Sequence, residues 1–302
     1  MAIIEVDRLV KRYGAHRAVD EVSFAVERGE IFGILGPNGA GKTTTVECIE
    51  GLRVPDSGSI RVCGRDPQRD HRELPTVLGA QLQTSDLPDK LRVDEALQLF
   101  SSFYRKPADW RELVDALGLA DKLRTPFRKL SGGQKQRLSI ALALVGDPKV
   151  AVLDEVTTGL DPQARRDAWH LIERVRDRGV TVLLVTHFME EAERLCDRLA
   201  LIDAGHLVAL DTPAGLVAAA AGRQRLRFRP SAPLDSAVLA ALPEVSSVEE
   251  AGGQLVVTGT GDLLSAVTTV LARRQITAAE LRVEQTTLDD AFVALTGHRA
   301  EH

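Results

Sequence analysis

The sequence predicts an α/β fold with a largely parallel central sheet, followed by a smaller α+β domain. An apolar strand at 31–35 leads through a glycine-rich turn into a helix. The apolar runs 150–153 and 180–185 have the length and continuity of strands that are buried on both faces of a sheet. Towards the C-terminus the pattern changes to β-α-β-β-α-β, the order of the ferredoxin-like split motif. We therefore expect two domains, 1–222 and 223–302.

Length and composition fit a globular protein of about two domains, with 302 residues of which 44% are hydrophobic and 27% charged. The net charge of −5 disfavours a general nucleic-acid binder, which usually carries a basic excess. The cysteines Cys48, Cys63 and Cys196 are too far apart for a disulfide framework or a zinc site. The N-terminus is too charged for a secretory signal, and no apolar run approaches the roughly 18–20 residues of a membrane span. We expect a cytoplasmic protein that reaches a membrane only through another chain.

The glycine-rich turn has the spacing G-x-x-x-x-G-K-[ST] of a phosphate-binding loop. Its residues are Gly36, Pro37, Asn38, Gly39, Ala40, Gly41, Lys42, Thr43 and Thr44. Glycines let backbone N–H groups turn inward, and the following helix presents free N–H groups and its positive dipole end. We expect Lys42 to reach the β- and γ-phosphate oxygens, Thr43 to hold Mg²⁺, and Thr44 to bond a phosphate nearer the ribose. The strand before the loop and the helix after it argue against a chance glycine-rich turn.

Hydrophobic patterns on both sides of this loop predict the other elements of the first domain. Before it, we expect strands at 3–10 and 18–26, with Tyr13 at the turn between them. On its own Tyr13 is a surface aromatic, but beside a nucleotide site it becomes a candidate for stacking on a base. The further elements are strands at 60–63, 77–83, 199–202 and 206–210, and helices at 91–104, 110–117, 164–178 and 189–196.

A second helix start with anion-binding features lies at 130–134, Leu-Ser-Gly-Gly-Gln. Ser131 is a typical N-cap residue, and Gly132 and Gly133 leave backbone N–H groups accessible beside Gln134. From these residues alone, a plain helix cap and an anion-binding helix start explain the pattern equally well.

The apolar run at 150–153 ends in two carboxylates, Asp154 and Glu155. Functional residues of parallel sheets lie at the carboxyl ends of the strands. In a chain that also carries a phosphate-binding loop, we expect Asp154 to hold Mg²⁺ directly or through a water. Glu155 then lies where a water can attack the γ-phosphate.

Two further candidates follow these carboxylates. Asp161 precedes Pro162 at the start of a helix, which predicts an N-cap. His187 comes just after the apolar run 180–185. A lone histidine is usually structural or exposed. At the end of a buried strand in a nucleotide site, however, a hydrogen bond to phosphate or to the attacking water is the better hypothesis.

The order of these motifs resembles that of the ATP-binding cassette (ABC) ATPases. The resemblance covers about residues 3–222, and the Ser-Gly-Gly-Gln element makes it specific. It implies a P-loop NTPase cassette with a mixed-sheet core, an antiparallel β subdomain and a helical subdomain, and it implies ATP and Mg²⁺ as ligands. The residues that match the family's motifs are Tyr13 for adenine stacking, 36–44 for Walker A, 131–134 for the signature, Asp154 for Walker B, Glu155 for the catalytic base, Asp161 for the D-loop and His187 for the switch histidine.

The resemblance also implies a Q-loop glutamine that touches Mg²⁺ or the attacking water. Gln83 has the fitting distance from residues 91–95, Leu-Arg-Val-Asp-Glu, which resemble the family element Leu-Thr-Val-x-Glu; Gln81 fits less well. The chain departs from the family pattern at two positions. Val156 replaces the proline usual after the catalytic glutamate, which removes a rigid turn residue but keeps both carboxylates. Arg92 stands where threonine is frequent, which matters little for the chemistry of ATP.

Family geometry implies a homodimer in which each ATP lies between the Walker A loop of one copy and the signature of the other. The ending at 287–297 is similar to that of ATP-binding subunits of bacterial drug-, antibiotic- or lipid-exporting systems, of the daunorubicin-resistance type. The resemblance therefore implies an ATPase subunit of an exporter, docked on a separate permease at the inner face of the cell membrane.

Two other functions, that of a soluble ABC protein and that of an importer ATPase, are alternatives to an exporter subunit. Soluble ABC proteins that act on ribosomes or DNA resemble paired cassettes or cassettes split by long coiled coils, and this chain has one phosphate-binding loop and no sustained heptads. An importer ATPase is compatible with the cassette, and only the C-terminal ending disfavours it.

Overall fold

A computed structural model of the chain describes residues 2–81, 87–220, 224–284 and 287–296. The chain divides into two compact units, Met1–Pro213 and Ala214–His302. The division falls before the boundary expected at 222/223, because most of the short helix Pro213–Ala220 clusters with the second unit. The assignment of the nucleotide site to 1–222 and of an accessory role to 223–302 stays a prediction.

The first unit alternates strands and helices. Its strands are β1 (Ala2–Tyr13), β2 (His16–Glu27), β3 (Ile31–Leu35), β4 (Ser57–Val62), β5 (Leu78–Ala80), β6 (Val150–Asp154), β7 (Thr181–Thr186), β8 (Arg198–Asp203) and β9 (His206–Asp211). Its helices are α1 (Lys42–Ile49), α2 (Val93–Ser101), α3 (Trp110–Ala116), α4 (Gly132–Leu144), α5 (Pro162–Asp177) and α6 (Met189–Leu195), and α7 (Pro213–Ala220) follows at the division between the units.

The central sheet of this unit has the strand order β5-β6-β7-β3-β8-β9. Its first five strands are parallel, and β9 returns antiparallel to β8. Every residue of β3, β6 and β7 is buried, as expected for strands covered on both faces. Since β6, β7 and β3 are neighbours, their carboxyl ends lie side by side at one edge of the sheet.

A second, antiparallel sheet has the order β2-β1-β4. In β1 the residues Ile4 and Val6 are buried and Glu5 and Asp7 are exposed, the alternation of a sheet with one covered face. Apolar side chains of both sheets and of α1 form one core cluster. The predicted mixed architecture of central sheet, antiparallel sheet and helices is thus confirmed.

The elements β5 and α2 are shorter than the sequence predicts by more than one residue. The strand expected at 77–83 is described over Leu78–Ala80, where it pairs with β6. Val77 still belongs to a tight turn and donates its N–H to Leu74 at 3.0 Å, and positions 82–83 lie outside the described residues. The helix expected at 91–104 spans Val93–Ser101, since Arg92 has extended backbone angles and acts as the N-cap.

The second unit continues with β10 (Gln224–Pro230), α8 (Ser236–Ala240), β11 (Val245–Ala251), β12 (Gln254–Gly259), α9 (Leu263–Arg273), β13 (Ala278–Glu284) and α10 (Leu288–Thr296). Its four strands form an antiparallel sheet of order β11-β12-β10-β13. Leu226 and Phe228 of β10 pack with α9 residues Leu263 and Val267 in a core of their own. No described helix in either unit is long and apolar enough to cross a membrane.

Candidate functional site

Lys42, the first residue of α1, organises the glycine-rich loop from inside. Its side chain is 5% exposed, and its Nζ donates to the carbonyl oxygens of Gly36 at 2.7 Å and Pro37 at 2.9 Å. Burial lowers the pKa of Lys42, and the carboxylates of Glu155 and Asp154 oppose that shift. The loop therefore closes around a buried ammonium group that also interacts with the carboxylates at the end of β6.

At two positions of the loop, only glycine fits without a steric overlap. A Cβ at position 36 would overlap the backbone carbonyl of Ile202, and one at position 41 would overlap the carbonyl of Ala18. Gly41 also has φ 103°, a backbone angle that other residues rarely adopt, and it begins α1 without a side-chain cap. The first N–H groups of α1 are thus left for a ligand.

A cleft of about 490 Å³ opens above this loop. The residues that line it are Tyr13, His16, Ala18, Asn38, Gly39, Gly41, Lys42, Thr43, Thr44 and Glu155. The cleft combines an aromatic ring, a hydroxyl-bearing helix start, an ammonium group and a carboxylate. This donor set fits a nucleoside triphosphate. The aromatic ring suits the base, the ammonium group and the helix start suit the phosphates, and the carboxylate suits the reacting end.

Tyr13 stands at the end of β1 with 42% of its surface exposed. The guanidinium of Arg53 lies 5.3 Å from the ring centre and the ammonium of Lys11 lies 5.8 Å from it. Cations therefore lie over the ring, while part of its surface stays exposed to solvent. His16 and Ala18, which the sequence analysis missed, join Tyr13 in lining the cleft.

Glu155 and His187 meet at the carboxyl ends of β6 and β7. The Nδ1 atom of His187 lies 3.2 Å from Oε1 of Glu155. Glu155 has φ 48°, in the left-handed region, and its N–H donates to Val185 at 2.9 Å. Val156 beside it is fully buried, so the side chain that stands in place of the family's proline packs in the core.

Asp154, the last residue of β6, is 8% exposed. A further carboxyl that the sequence did not indicate lies near it, since burial, together with the charges of Asp154 and Glu47, raises the pKa of Glu50 to about 8. Glu50 lies at the C-terminal end of α1 and does not line the cleft, so the oxygen groups at the start of α1 and the end of β6 are the Thr43 hydroxyl and the Asp154 carboxyl. Oxygen donors of this kind are those that Mg²⁺ prefers.

Of the two glutamines after β5, only Gln81 can be placed. Its N–H donates to Val152 at 3.0 Å, and its side chain is 7% exposed. Gln83, the predicted Q-loop residue, lies outside the described residues.

A second cleft, of about 370 Å³, forms at the start of α4. Its lining includes Ser131, Gly132, Gly133, Gln134, Gly159, Leu160, Asp161 and Ala164. Ser131 caps α4: its Oγ accepts from the Gln134 N–H at 3.3 Å, and its own N–H donates to Gln134 Oε1 at 3.0 Å. Because the Ser131 oxygen acts as an acceptor in this cap, its hydroxyl hydrogen is still able to bind an anion.

Asp161 is the predicted N-cap of α5. Its Oδ1 accepts from the backbone N–H groups of Gln163 and Ala164, both at 2.9 Å. Asp161 shares the second cleft with Ser131, whereas Lys42 and Glu155 line the first. The loop residues with Tyr13 and Glu155 thus line one cleft and Ser131–Gln134 with Asp161 line another, whereas Asp154 and His187 are in neither lining.

Comparison with known proteins gives the same family from sequence and from structure. Residues 19–158 match the family described as "ABC transporter". The chain is 37% identical over 303 residues to "Daunorubicin resistance ATP-binding protein DrrA3" of Streptomyces coeruleorubidus, covering 97% of this chain and 96% of that one. It is 45% identical over 221 residues to "Nod factor export ATP-binding protein I" of Ralstonia nicotianae, covering 71% of this chain and 68% of the relative.

Solved structures show the same likeness over about 70% of the chain. One is described as the "Structure of ATP binding subunit of ABC transporter", with a TM-score of 0.65 and 29% identity over 72% of this chain and 92% of that one. A second, an ATP-binding cassette of an ABC transporter in its ADP conformation, gives a TM-score of 0.64 and 26% identity over 70% of this chain and 91% of the other.

Proposed function

Because this chain belongs to the ABC transporter family, as an ATP-binding subunit that hydrolyses ATP to energise transport through a membrane permease, we propose that it drives export of a drug, antibiotic or lipid. The observation that supports export is the likeness over nearly the whole chain to a daunorubicin-resistance ATP-binding protein. On this proposal the subunit is cytoplasmic, peripheral on the inner face of the cell membrane, and has no nucleic-acid partner.

We propose that ATP binds in the first cleft with its adenine on Tyr13 and its phosphates around Lys42. The ammonium of Lys42 and the free N–H groups of α1 bind the phosphate oxygens, and Thr44 bonds a phosphate nearer the ribose. The side chains of Thr43 and Asp154, with Gln83, are suited to hold Mg²⁺, whose charge offsets that of the phosphates when it is bound.

The reacting end of the site is assigned to Glu155 and His187. The Glu155 carboxylate accepts a hydrogen bond from the attacking water and thereby orients and polarises it. Its 3.2 Å contact with His187 Nδ1 fixes the carboxylate and leaves the other imidazole nitrogen for the γ-phosphate or the water. Catalysis is then mostly positioning and charge stabilisation.

A homodimer would unite the two clefts. Within one chain, Ser131, Gly132, Gly133, Gln134 and Asp161 lie in a cleft apart from the phosphate-binding loop. We propose that these residues complete the ATP site of a second copy, with Ser131 and the N–H groups at the start of α4 on the γ-phosphate. Repeated closing and opening of the dimer would then move the permease.

The first experiment is gentle solubilisation of native membranes and capture of the tagged protein. We expect a polytopic membrane protein to be recovered in stoichiometric amount and identified by mass spectrometry. A tagged Lys42→Ala variant serves as a control. It is expected to recover the same partner without hydrolysing ATP, which shows that binding to the partner does not need hydrolysis. Recovery of ribosomal proteins or nucleic acid with no membrane protein would contradict the proposal and favour a soluble ABC protein; a solute-binding protein alongside the permease would favour an importer.

A shortened chain tests the role of the C-terminal residues. The second unit has its own core, centred on Leu226, Phe228, Leu263 and Val267, so its removal need not disturb the cassette. We expect residues 1–222 to bind ATP with an affinity within about twofold of the full chain but to self-associate more weakly, as measured by equilibrium dialysis and sedimentation. Loss of ATP binding by the shortened chain would contradict the idea that the C-terminal domain only supports the dimer.

A further inference from the structure

Glu191, in the first turn of α6, is a buried carboxyl that neither cleft and no step above uses. Its side chain has no exposed surface, whereas the preceding Glu190 is exposed. Burial raises the pKa of Glu191. A carboxyl is costly to bury, so its surroundings must provide compensating polar groups.

Three such groups face it from three different segments. They are the hydroxyls of Thr186 and Thr157 and the indole N–H of Trp169, which lower the pKa of Glu191 and so oppose the rise that burial causes. Arg165 of α5 adds a weaker electrostatic attraction. Within the described residues, Thr157 Oγ1, Trp169 Nε1 and both Glu191 oxygens are buried and make no hydrogen bond. A buried carboxyl without a hydrogen bond thus lies close to a hydroxyl and an indole N–H that also lack one.

The positions of these partners in the chain are informative. Thr157 is two residues after Glu155, and Thr186 directly precedes His187. The Thr186 oxygen accepts the Phe188 N–H at 3.0 Å, which leaves its hydroxyl hydrogen able to donate to a neighbouring group. Glu191 thus lies close to both segments whose ends meet in the 3.2 Å contact between Glu155 and His187.

Trp169 extends the cluster to α5, the helix that Asp161 caps. A displacement of α5 would therefore reach Glu191 through the indole, and reach the Glu155–His187 pair through the two threonines.

We propose that Glu191 is a positioning residue that sets the Glu155–His187 contact and ties it to α5. This inference rests on the proposed roles of Glu155 and His187. Glu191 touches no substrate; it acts by holding the segments 155–157 and 186–187 at the separation the contact needs. Misplacement of a catalytic group by about 1 Å can cost about a hundredfold in rate. Removal of the Glu191 carboxyl should therefore lower the rate of ATP hydrolysis.

The test is ATP hydrolysis by Glu191→Ala beside Glu190→Ala, its neighbour on the same helix. We expect Glu191→Ala to lower kcat about ten- to a hundredfold with KM and ATP affinity within about twofold, and Glu190→Ala to change neither. A parallel rise in KM, or an equal loss in both variants, would overturn the proposal.

Two milder variants keep the test valid if Glu191→Ala does not fold. Glu191→Gln keeps the shape and one acceptor, and Trp169→Phe keeps the ring but removes the N–H. We expect both to lower kcat by about threefold or more without changing KM, and unchanged kcat in both would overturn the proposal.

A double variant separates positioning from simple loss of structure. In a His187→Ala background, measured by single-turnover release of labelled phosphate, Glu191→Gln should have little further effect, because the contact it supports is already gone. A full multiplicative loss would overturn the proposal. If Glu155→Gln and His187→Ala themselves leave hydrolysis unchanged, the proposed function of those residues fails instead, and the two failures are thereby distinguished.

Discussion

Glu155→Gln is expected to reduce ATP hydrolysis by about 10²–10⁴-fold while leaving ATP binding intact. The amide has the size and shape of the carboxylate, so the cleft is unchanged, but it cannot accept the proton of the attacking water. Its contact with His187 at 3.2 Å can persist through the amide oxygen. The variant should therefore bind nucleotide and stop before the chemical step.

Arrest at this step should make the dimer visible. With ATP and Mg²⁺, Glu155→Gln is expected to elute as a dimer on a sizing column, whereas the unaltered chain returns to monomer as it hydrolyses ATP. Glu193→Gln makes the same chemical change at an exposed position of α6 and should behave like the unaltered chain. A monomeric Glu155→Gln protein that still binds ATP would show that Glu155 is not the base.

Lys42→Met should show the second large effect, a fall in ATP affinity of roughly 10- to 100-fold together with loss of measurable hydrolysis. A hydrogen bond to a charged group contributes about 1.5–3 kcal/mol, and each 1.4 kcal/mol is about tenfold in affinity. Methionine keeps an unbranched apolar stem in the buried position but removes the cation. It also leaves the carbonyl groups of Gly36 and Pro37 without their 2.7 and 2.9 Å donor.

Calorimetric titration with ATP measures the loss, and thermal unfolding without nucleotide shows how much the loop itself is weakened. Lys149→Met is the matched control, because Lys149 is exposed and directly precedes β6, at the opposite end of the strand from Asp154. Equal affinities for Lys42→Met and Lys149→Met would remove Lys42 from the phosphate site.

Local sequence patterns were sufficient for the strands and helices that build the first cleft. The continuous apolar runs of β6 and β7 correctly indicated burial on both faces, and Ser131 and Asp161 cap their helices as their types predict. The predicted start of β5 at Val77 was wrong, because the pairing of a short strand depends on where the partner strand lies and not on the apolarity of the segment itself.

Other features of the site depend on contacts between distant segments. Nothing near Lys42 in the sequence indicates that its ammonium binds two carbonyls of its own loop. The burial of Glu191 was equally hidden, because its helix carries acidic residues at 190, 191 and 193 and only tertiary packing buries one of them. The separation of the two clefts likewise follows from three-dimensional placement rather than from motif order.

The glycines of the phosphate-binding loop have a consequence for the thermodynamics of nucleotide binding. Gly41 fits against Ala18 of β2, and the N–H of Gly205, in the turn between β8 and β9, donates to Ala40 at 3.0 Å. The loop is therefore preorganised, and the conformational entropy of its backbone, about 1–2 kcal/mol per residue, is lost when the protein folds rather than when ATP arrives. Affinity for nucleotide thus depends on the integrity of a strand and a hairpin turn that lie far away in sequence, so that destabilising either would weaken binding without altering a single phosphate contact.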